Sequence, residues 1–147
     1  MKHDPPVRRN RTSGSGGRTP LATVQEYIAR INAHDARSLE RLGSPDLRFT
    51  DALGKEYRLT REGWDGYFSD FPDYRMVVER FLVEGDSVAA FGFAEGSFQG
   101  KGGSIPGASW HIPTAWRATV QSGKVLEWRV YCDVEPMLRS AGVGRLP

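Results

Sequence analysis

A chain of 147 residues with 39% hydrophobic residues is long enough to bury one core and too short for two comfortable ones. Its formal net charge is only +2, and much of the positive excess comes from Lys2, Arg8, Arg9, Arg11 and Arg18. The rest of the chain is close to neutral. This argues against a nucleic-acid-binding protein, because such proteins cluster Lys and Arg on the folded domain.

The use of cysteine and the absence of long apolar runs indicate in which cellular compartment to expect the protein. Cys132 is the only cysteine, so an intramolecular disulfide is excluded and a reducing compartment is the simplest expectation. No apolar run approaches the roughly 18 residues of a membrane-spanning helix, and no charged-then-apolar signal sequence opens the chain. We therefore expect a cytoplasmic protein that does not bind membranes.

Composition divides the chain into one domain and two tails. Residues 1–18 are rich in Pro, Gly, Ser and Arg and lack apolar periodicity, so burial cannot offset the entropy of ordering them. The pattern predicts a disordered tail over residues 1–18, a folded domain over residues 19–138 and a C-terminal tail over residues 139–147.

The first predicted element is a helix within Pro20–Asp35, with Thr19 as its N-cap and Asn32–Asp35 as the segment in which the helix stops. Apolar residues recur at helical spacing and form one buried stripe: Leu21, Val24, Tyr27, Ile28 and Ile31. Tyr27 thus brings a hydroxyl into an apolar interior, where it needs a partner from protein, water or ligand. This makes Tyr27 a candidate site residue.

A short second helix is predicted over Ala36–Leu42, and the next segment, Asp46–Asp51, alternates as a strand does. The alternation places Asp51 on the same face as Leu47 and Phe49, which point to the core. A carboxylate there either ends the strand at a wet rim and caps the following turn, or lies in a pocket with a shifted pKa. Asp51 is therefore a second candidate.

A short returning strand over Glu56–Leu59 leads to a third helix over Arg61–Phe71, which Pro72 ends. This helix carries an aromatic stripe of Trp64, Tyr67, Phe68 and Phe71. Aromatic residues at helical spacing are most often core residues, and a ligand site is the alternative.

Four strands follow as two hairpins, Arg75–Val83 with Ser87–Phe98 and Ala108–Gln121 with Lys124–Asp133. Helices followed by long antiparallel strands, without βαβ units, predict an α+β fold. Small residues occupy one face of the second strand: Ala90, Gly92, Ala94 and Gly96. That face leaves room for a packed helix or for a ligand.

Alternation assigns the side chains of the last two strands to faces. One face of the third strand carries Trp110, Ile112, Thr114 and Trp116, and one face of the fourth carries Leu126, Trp128, Val130 and Cys132. His111 points the other way unless Pro113, which indicates an edge or a bulge, shifts the phase. An inward His111 would be a further acid/base candidate, and an outward one an interface residue.

The sequence offers no pattern for a metal or a cofactor. Its three histidines show no H-x-H or H-E-x-x-H spacing, and neither a P-loop nor a dinucleotide fingerprint is present. We therefore expect a protein without metal or cofactor.

Four strings resemble the nuclear-transport-factor-2-like superfamily, which includes ketosteroid isomerases, SnoaL-type polyketide cyclases and limonene epoxide hydrolases: VQEYIARINAHD, RFTDALG, EGDSVAAF and GKVLEWRVYCD. The resemblance runs from about Leu21 to Leu138. It implies a cone in which three N-terminal helices pack on a strongly curved, mixed but mainly antiparallel sheet that encloses an apolar cavity. It also implies a small apolar ligand and a homodimer formed through the outer sheet face.

Within this resemblance, Tyr27 matches the tyrosine with which ketosteroid isomerases stabilise the substrate oxyanion, and Asp51 matches their general base. Thr114 stands where those enzymes carry a protonated aspartic acid, which leaves a weaker donor. The Arg and Asp that epoxide hydrolases carry on the middle strand fall at Gly92 and Ala94, so that activity is not expected.

Two functions remain open. The first is a cofactor-independent isomerase or cyclase, in which Asp51 removes a proton next to the carbonyl of an apolar, polyketide- or steroid-like compound while Tyr27 stabilises the enolate oxygen. The second is a non-catalytic dimeric module that binds a small apolar ligand. The residues expected to contact the ligand are Trp64, Phe68, Trp110, Thr114, Trp116 and Trp128.

Overall fold

The computed structural model describes residues 18–99 and 109–142, which contain four helices and six strands. The helices are α1 Pro20–Asn32, α2 Ala36–Leu42, α3 Arg61–Asp70 and α4 Glu135–Ser140. The strands are β1 Gly43–Thr50, β2 Glu56–Arg58, β3 Arg75–Glu84, β4 Ser87–Ser97, β5 Ser109–Gln121 and β6 Lys124–Tyr131. The predicted N-terminal tail up to residue 17 and the end of the predicted C-terminal tail lie outside the described residues.

The six strands belong to one sheet with the order β2-β1-β6-β5-β4-β3. β1 and β6 are parallel, and every other neighbouring pair is antiparallel. Helix α1 lies across the sheet and contacts β3, β4, β5 and β6, while α2 packs between α1, α3 and β1. The prediction of an α+β fold with helices on a mixed, mainly antiparallel sheet is confirmed. The sheet is open, with β2 and β3 at its edges.

Side-chain hydrogen bonds set the two ends of α1. Thr19 Oγ1 accepts a hydrogen bond from the first turn at 3.1 Å, as predicted for the N-cap. The helix stops at Asn32, within the predicted stop segment Asn32–Asp35, where His34 adopts a left-handed backbone with φ of 54°. The Asn32 side chain bonds both the amide and the carbonyl of Met76, at 2.8 and 2.9 Å, and ties α1 to β3.

A bulge between β5 and β6 changes which side chains of β6 face inward. The register shifts between Thr119 and Val120, and Val125 and Trp128 are both buried, with 0% and 2% exposure. Leu126, predicted on the same face as Trp128, is only half-buried. Strict alternation is wrong here because a bulge adds a residue to one strand of the pair and shifts the phase.

Pro113 lies in a central strand, but at a point where that strand is paired on one side only. It pairs with Phe93 of β4 without a register shift, so the expected bulge does not occur there. On the other side, pairing with β6 ends where Ala115 meets Tyr131. A proline is tolerated at such a locally free edge, and the phase of β5 continues unchanged through it.

The core lies between α1, α2 and the sheet. Its fully buried side chains include Tyr27, Ile31, Leu39 and Trp116. Removing an aliphatic side chain of this size from water contributes roughly 1.5–3 kcal/mol to folding. None of the described helices combines the length and the apolar character needed to cross a membrane.

Candidate functional site

A cavity of about 380 Å³ lies between the helix-covered face of the sheet, α3, the start of α4 and the turn after β1. Its wall is mostly apolar and includes residues predicted to contact a ligand: Trp64, Trp110, Thr114, Trp116 and Trp128. Asp51 also lines the cavity. The volume is within the range of small-molecule sites in proteins.

The cavity wall is most accessible to solvent beside the turn between β1 and β2, and this part is called the mouth. Tyr57 there is 42% exposed, and Asp51 and Ala52 are half-buried. Other lining residues are sealed from solvent, with Trp116 at 1% and Trp110 at 5% exposure. A molecule in the cavity therefore meets Asp51 on its mouth side and aromatic rings on its inner side.

Asp51 follows β1 and holds the turn to β2. Its Oδ1 accepts hydrogen bonds from the backbone amides of Leu53 and Lys55, both at 2.9 Å. Its Oδ2 accepts a hydrogen bond from the Tyr57 hydroxyl at 2.9 Å, and this bond to a carboxylate raises the pKa of Tyr57. Asp51 thus combines a turn-capping role with a place in the cavity wall.

Tyr27 lies in the core behind the cavity wall. It is fully buried, and its ring packs on Trp64 and Trp128 with centroid distances of 6.1 and 5.0 Å. Burial raises the pKa of its hydroxyl and Trp64 offsets this in part, yet the oxygen makes no well-formed hydrogen bond with any described residue. Tyr27 does not line the cavity. The expected arrangement, with the Tyr27 hydroxyl and the Asp51 carboxylate facing one cavity, is therefore not formed.

Two further tyrosines line the cavity besides Tyr57: Tyr67 on α3 and Tyr74 just before β3. Their rings pack edge to face with centroids 5.0 Å apart. Burial raises the pKa of both hydroxyls, and hydrogen bonding from Trp116 and Tyr67 toward the Tyr74 oxygen offsets the rise for Tyr74 only in part. Both phenols therefore remain protonated at neutral pH and can donate hydrogen bonds.

Sequence patterns gave little indication of this tyrosine pair. Tyr67 belongs to the aromatic stripe that was assigned to the core, and Tyr74 lies between a helix and a strand, where no periodicity applies. The one available signal was the ligand-site alternative for that stripe. Helical spacing shows that Tyr67 points inward, but it does not show whether the space in front of the ring is filled.

Thr114 and Cys132 complete the polar part of the wall on β5 and just after β6. Thr114 Oγ1 donates its proton to the Ile112 carbonyl at 2.8 Å. Burial raises the pKa of the Cys132 thiol, and the neighbouring Thr114 hydroxyl offsets this in part. A thiol with a raised pKa is a weak nucleophile, which agrees with a wall residue rather than a reactive one.

His111 and Phe68 lie away from the cavity. The His111 side chain is 57% exposed on the outer sheet face, where Nδ1 is 3.2 Å from Glu95 Oε2 and the ring stacks on Phe93. His111 therefore cannot contact a molecule in the cavity, in agreement with the outward alternative. Phe68 is buried, but its ring stacks on His34 with centroids 4.4 Å apart and is not part of the lining.

Charge at the cavity is confined to its mouth. Within the described lining, the charged residues are Asp51 and Arg58. Arg58 is exposed, and its Nε donates a hydrogen bond to the Pro45 carbonyl at 3.1 Å. No group of three or more His, Cys, Asp and Glu side chains suited to a metal ion occurs in residues 18–99 and 109–142.

A comparison with protein families decides the classification. The profile of the SnoaL-like domain matches residues 24–128, from α1 into β6. The chain belongs to the SnoaL-like domain family. This result confirms the resemblance inferred from the sequence strings. A search among curated proteins found no match to this SnoaL-like chain.

Solved structures of other SnoaL-like and related proteins share the fold. IdmH of Streptomyces antibioticus, provisionally assigned as a polyketide cyclase, is 24% identical, with a TM-score of 0.66 over 86% of this chain and 100% of that one. A SnoaL-like protein of Jannaschia sp. CCS1 with the same provisional assignment is 21% identical, with a TM-score of 0.69 over 86% and 93%. AclR of Streptomyces galilaeus, provisionally assigned as a hydroxylase, is 23% identical, with a TM-score of 0.68 over 87% and 84%. At these identities the likeness shows the fold alone.

Proposed function

We propose that this SnoaL-like domain binds a small, mainly apolar carbonyl compound, of polyketide- or steroid-like shape, and removes a proton next to the carbonyl with Asp51. The observation that carries the proposal is that a carboxylate lines the same apolar cavity as several hydroxyl and indole donors. Enolisation needs one positioned base and a donor for the developing oxyanion, and it needs no cofactor. The provisional cyclase assignments of two similar structures support this reaction class.

The Asp51 carboxylate can still accept a proton, although it already accepts hydrogen bonds within the turn. A carboxylate oxygen has two lone pairs, and Oδ2 accepts one hydrogen bond, from Tyr57. The proposal does not use Tyr27, because its ring is enclosed by Trp64 and Trp128. The donor for the oxyanion instead comes from the hydroxyl and indole groups of the cavity wall.

Deuterium exchange of a simple ketone tests the base. In D2O, 2-tetralone loses the NMR signals of its α-protons as enolisation exchanges them, so the natural substrate is not needed. We expect the protein to accelerate this exchange and Asp51→Asn to reduce the acceleration about 10²- to 10⁴-fold. Asp46→Asn, which changes an exposed carboxylate of β1 outside the cavity lining, should leave the rate unchanged. Equal rates for Asp51→Asn and the parent protein would show that Asp51 is not the base.

A non-catalytic binding module is the second candidate, and the hydrogen bonds of Asp51 favour it. Both carboxylate oxygens already serve the turn, through Leu53, Lys55 and Tyr57. Under this function 2-tetralone raises the melting temperature of the parent protein and of Asp51→Asn equally, and exchange stays at the rate of buffer. Accelerated exchange that depends on Asp51 would exclude it.

We further propose that two chains associate through the outer face of the sheet. Apolar side chains from neighbouring strands form a patch there: Val77, Phe91, Phe93, Ala115 and Tyr131. Phe91 is 39% and Tyr131 41% exposed, which is unusual for rings on the surface of a monomer. A second copy of the patch would remove these rings from water.

Light scattering after size-exclusion chromatography tests the dimer. We expect the parent protein to elute with twice the mass of the chain and Phe91→Glu to elute as a monomer. Val83→Glu is the matched control. Val83 is also exposed, but it is paired with Val88, which faces the core, so Val83 is not on the outer face of the sheet. A monomeric parent protein, or a dimer that survives Phe91→Glu, would contradict this interface.

A further inference from the structure

The inner end of the cavity, lined by Tyr67, Tyr74, Trp110 and Trp116, holds more hydrogen-bond donors than acceptors. An indole N–H only donates, and a phenol offers one proton and one accepting oxygen. Thr114, another hydroxyl of the described lining, already gives its proton to a backbone carbonyl. A molecule at the inner end therefore encounters hydrogen-bond donors that need an acceptor.

Two of these donors can serve a ligand. The Tyr74 ring lines the cavity and packs on Tyr67 and Trp110, so its hydroxyl can donate to a molecule there. Trp110 Nε1 is buried and has no acceptor among the described residues. A buried donor without a partner costs free energy, which a ligand acceptor would recover.

The inner end does not suit a ligand carboxylate. Arg58 is the cationic residue of the described lining, and it lies exposed at the mouth. A carboxylate moved to the inner end would lose its hydration without gaining a counter-charge. A carbonyl oxygen carries no net charge and accepts up to two hydrogen bonds, so it fits both the surplus of donors and the apolar wall.

Tyr74 is held in position by contacts that do not involve a ligand. Its carbonyl accepts a hydrogen bond from His34 Nε2 at 2.8 Å, and its amide donates to the Phe71 carbonyl at 3.0 Å. Its ring packs on Tyr67 and Trp110 with centroid distances of 5.0 and 5.9 Å. The hydroxyl is therefore preorganised, and little entropy is lost when it bonds a ligand.

We infer that Tyr74 recognises a neutral ketone or quinone oxygen of the ligand at the inner end of the cavity, with Trp110 Nε1 as the second donor. This inference rests on the proposed use of the cavity as the ligand site, and it narrows the ligand to compounds whose acceptor oxygen is uncharged. Tyr67 is a positioning residue here, because its ring packs edge to face against the ring of Tyr74.

Two probes of the same shape test this inference. 2-Tetralone and tetralin share a two-ring skeleton, and only the first carries a carbonyl oxygen. Titrations by calorimetry or ligand-observed NMR should show tighter binding of 2-tetralone. Tyr74→Phe, which removes the hydroxyl and keeps the ring, should weaken 2-tetralone about two- to twelvefold, the range of one net hydrogen bond, and leave tetralin unchanged. Tyr131→Phe, on the outer sheet face, should leave both affinities unchanged.

The carbonyl stretch of carbon-13-labelled 2-tetralone gives a readout that altered packing alone would not reproduce. Bound to the parent protein, the stretch should move to lower wavenumber, and Tyr74→Phe should reverse most of that shift. Equal affinity and an equal stretch in Tyr74→Phe and the parent protein would overturn the inference. If Tyr74 governs binding but exchange does not depend on Asp51, the recognition site stands and the enzymatic function fails. If neither probe binds, both proposals are overturned.

Discussion

The buried tyrosine hydroxyls of this SnoaL-like domain fall into two groups that differ in what lies in front of them. Tyr27 on α1 is enclosed by Trp64 and Trp128 and does not reach the cavity. Tyr67 and Tyr74 line it. Burial raises the pKa of all three. Burial and an inward direction therefore do not identify a ligand-facing hydroxyl, because Tyr27 has both features and lies outside the lining of the ligand cavity.

The largest expected difference between the two groups is in stability. Tyr27→Ala removes a fully buried ring that packs on Trp64 and Trp128, and should lower the free energy of unfolding by about 3–5 kcal/mol. Tyr67→Ala enlarges the ligand cavity, where the ring already lacks neighbours on one side, and should cost less. Urea denaturation followed by circular dichroism measures both values. Equal losses would contradict this difference between the two rings.

Two alanines on the helix-covered face of the sheet sharpen the comparison further. Ala118 on β5 is fully buried and does not line the cavity, whereas Ala94 on β4 does line it. Ala118→Val should destabilise the protein by about 1–3 kcal/mol through overpacking, while Ala94→Val should cost less than about 1 kcal/mol because its methyl groups enter free space. Denaturation midpoints decide this, and the reverse order would contradict the assigned cavity wall.

The smallest effect concerns alkaline pH. The pKa of Tyr27 is raised above its ordinary value of 10.0, so the unfolded chain ionises first and the folded state keeps the proton. Its contribution to stability is therefore complete below pH 10.0 and is lost as pH rises further. Tyr27→Phe should reduce the fall in unfolding free energy above that pH by about 1.4 kcal/mol per pH unit, and should change stability at neutral pH by less than about 1 kcal/mol. An unchanged alkaline slope would show that the Tyr27 hydroxyl ionises as easily in the folded protein as in the unfolded chain.

The fold could be predicted because periodicity and capping are local properties. Helix α2 has the predicted bounds Ala36–Leu42, and α3 begins where Thr60 caps it. The error in the last strand arose from a backbone event that residue patterns do not report. A bulge in the β5–β6 pair brought Val125 inward in place of Leu126.

The site could be predicted only in part, because a cavity is a property of several elements together. Alternation placed Trp110, Thr114 and Trp116 on the correct face of β5, and all of them line the cavity. Whether a ring on that side fills the core or faces a void depends on how far the helices stand from the sheet, which no single strand or helix encodes. Phe68 and Tyr67 are neighbours on α3, yet only Tyr67 reaches the cavity.

The side chain of Asn32 forms hydrogen bonds with the backbone of β3, which is the outermost strand on one side of the sheet. By bonding both the amide and the carbonyl of Met76, it takes the place of a further strand at that point. Unpaired strand edges recruit strands from other chains and lead to aggregation. One side chain of α1 thus blocks edge-to-edge growth there, in a molecule whose other outer strand, β2, is only 3 residues long.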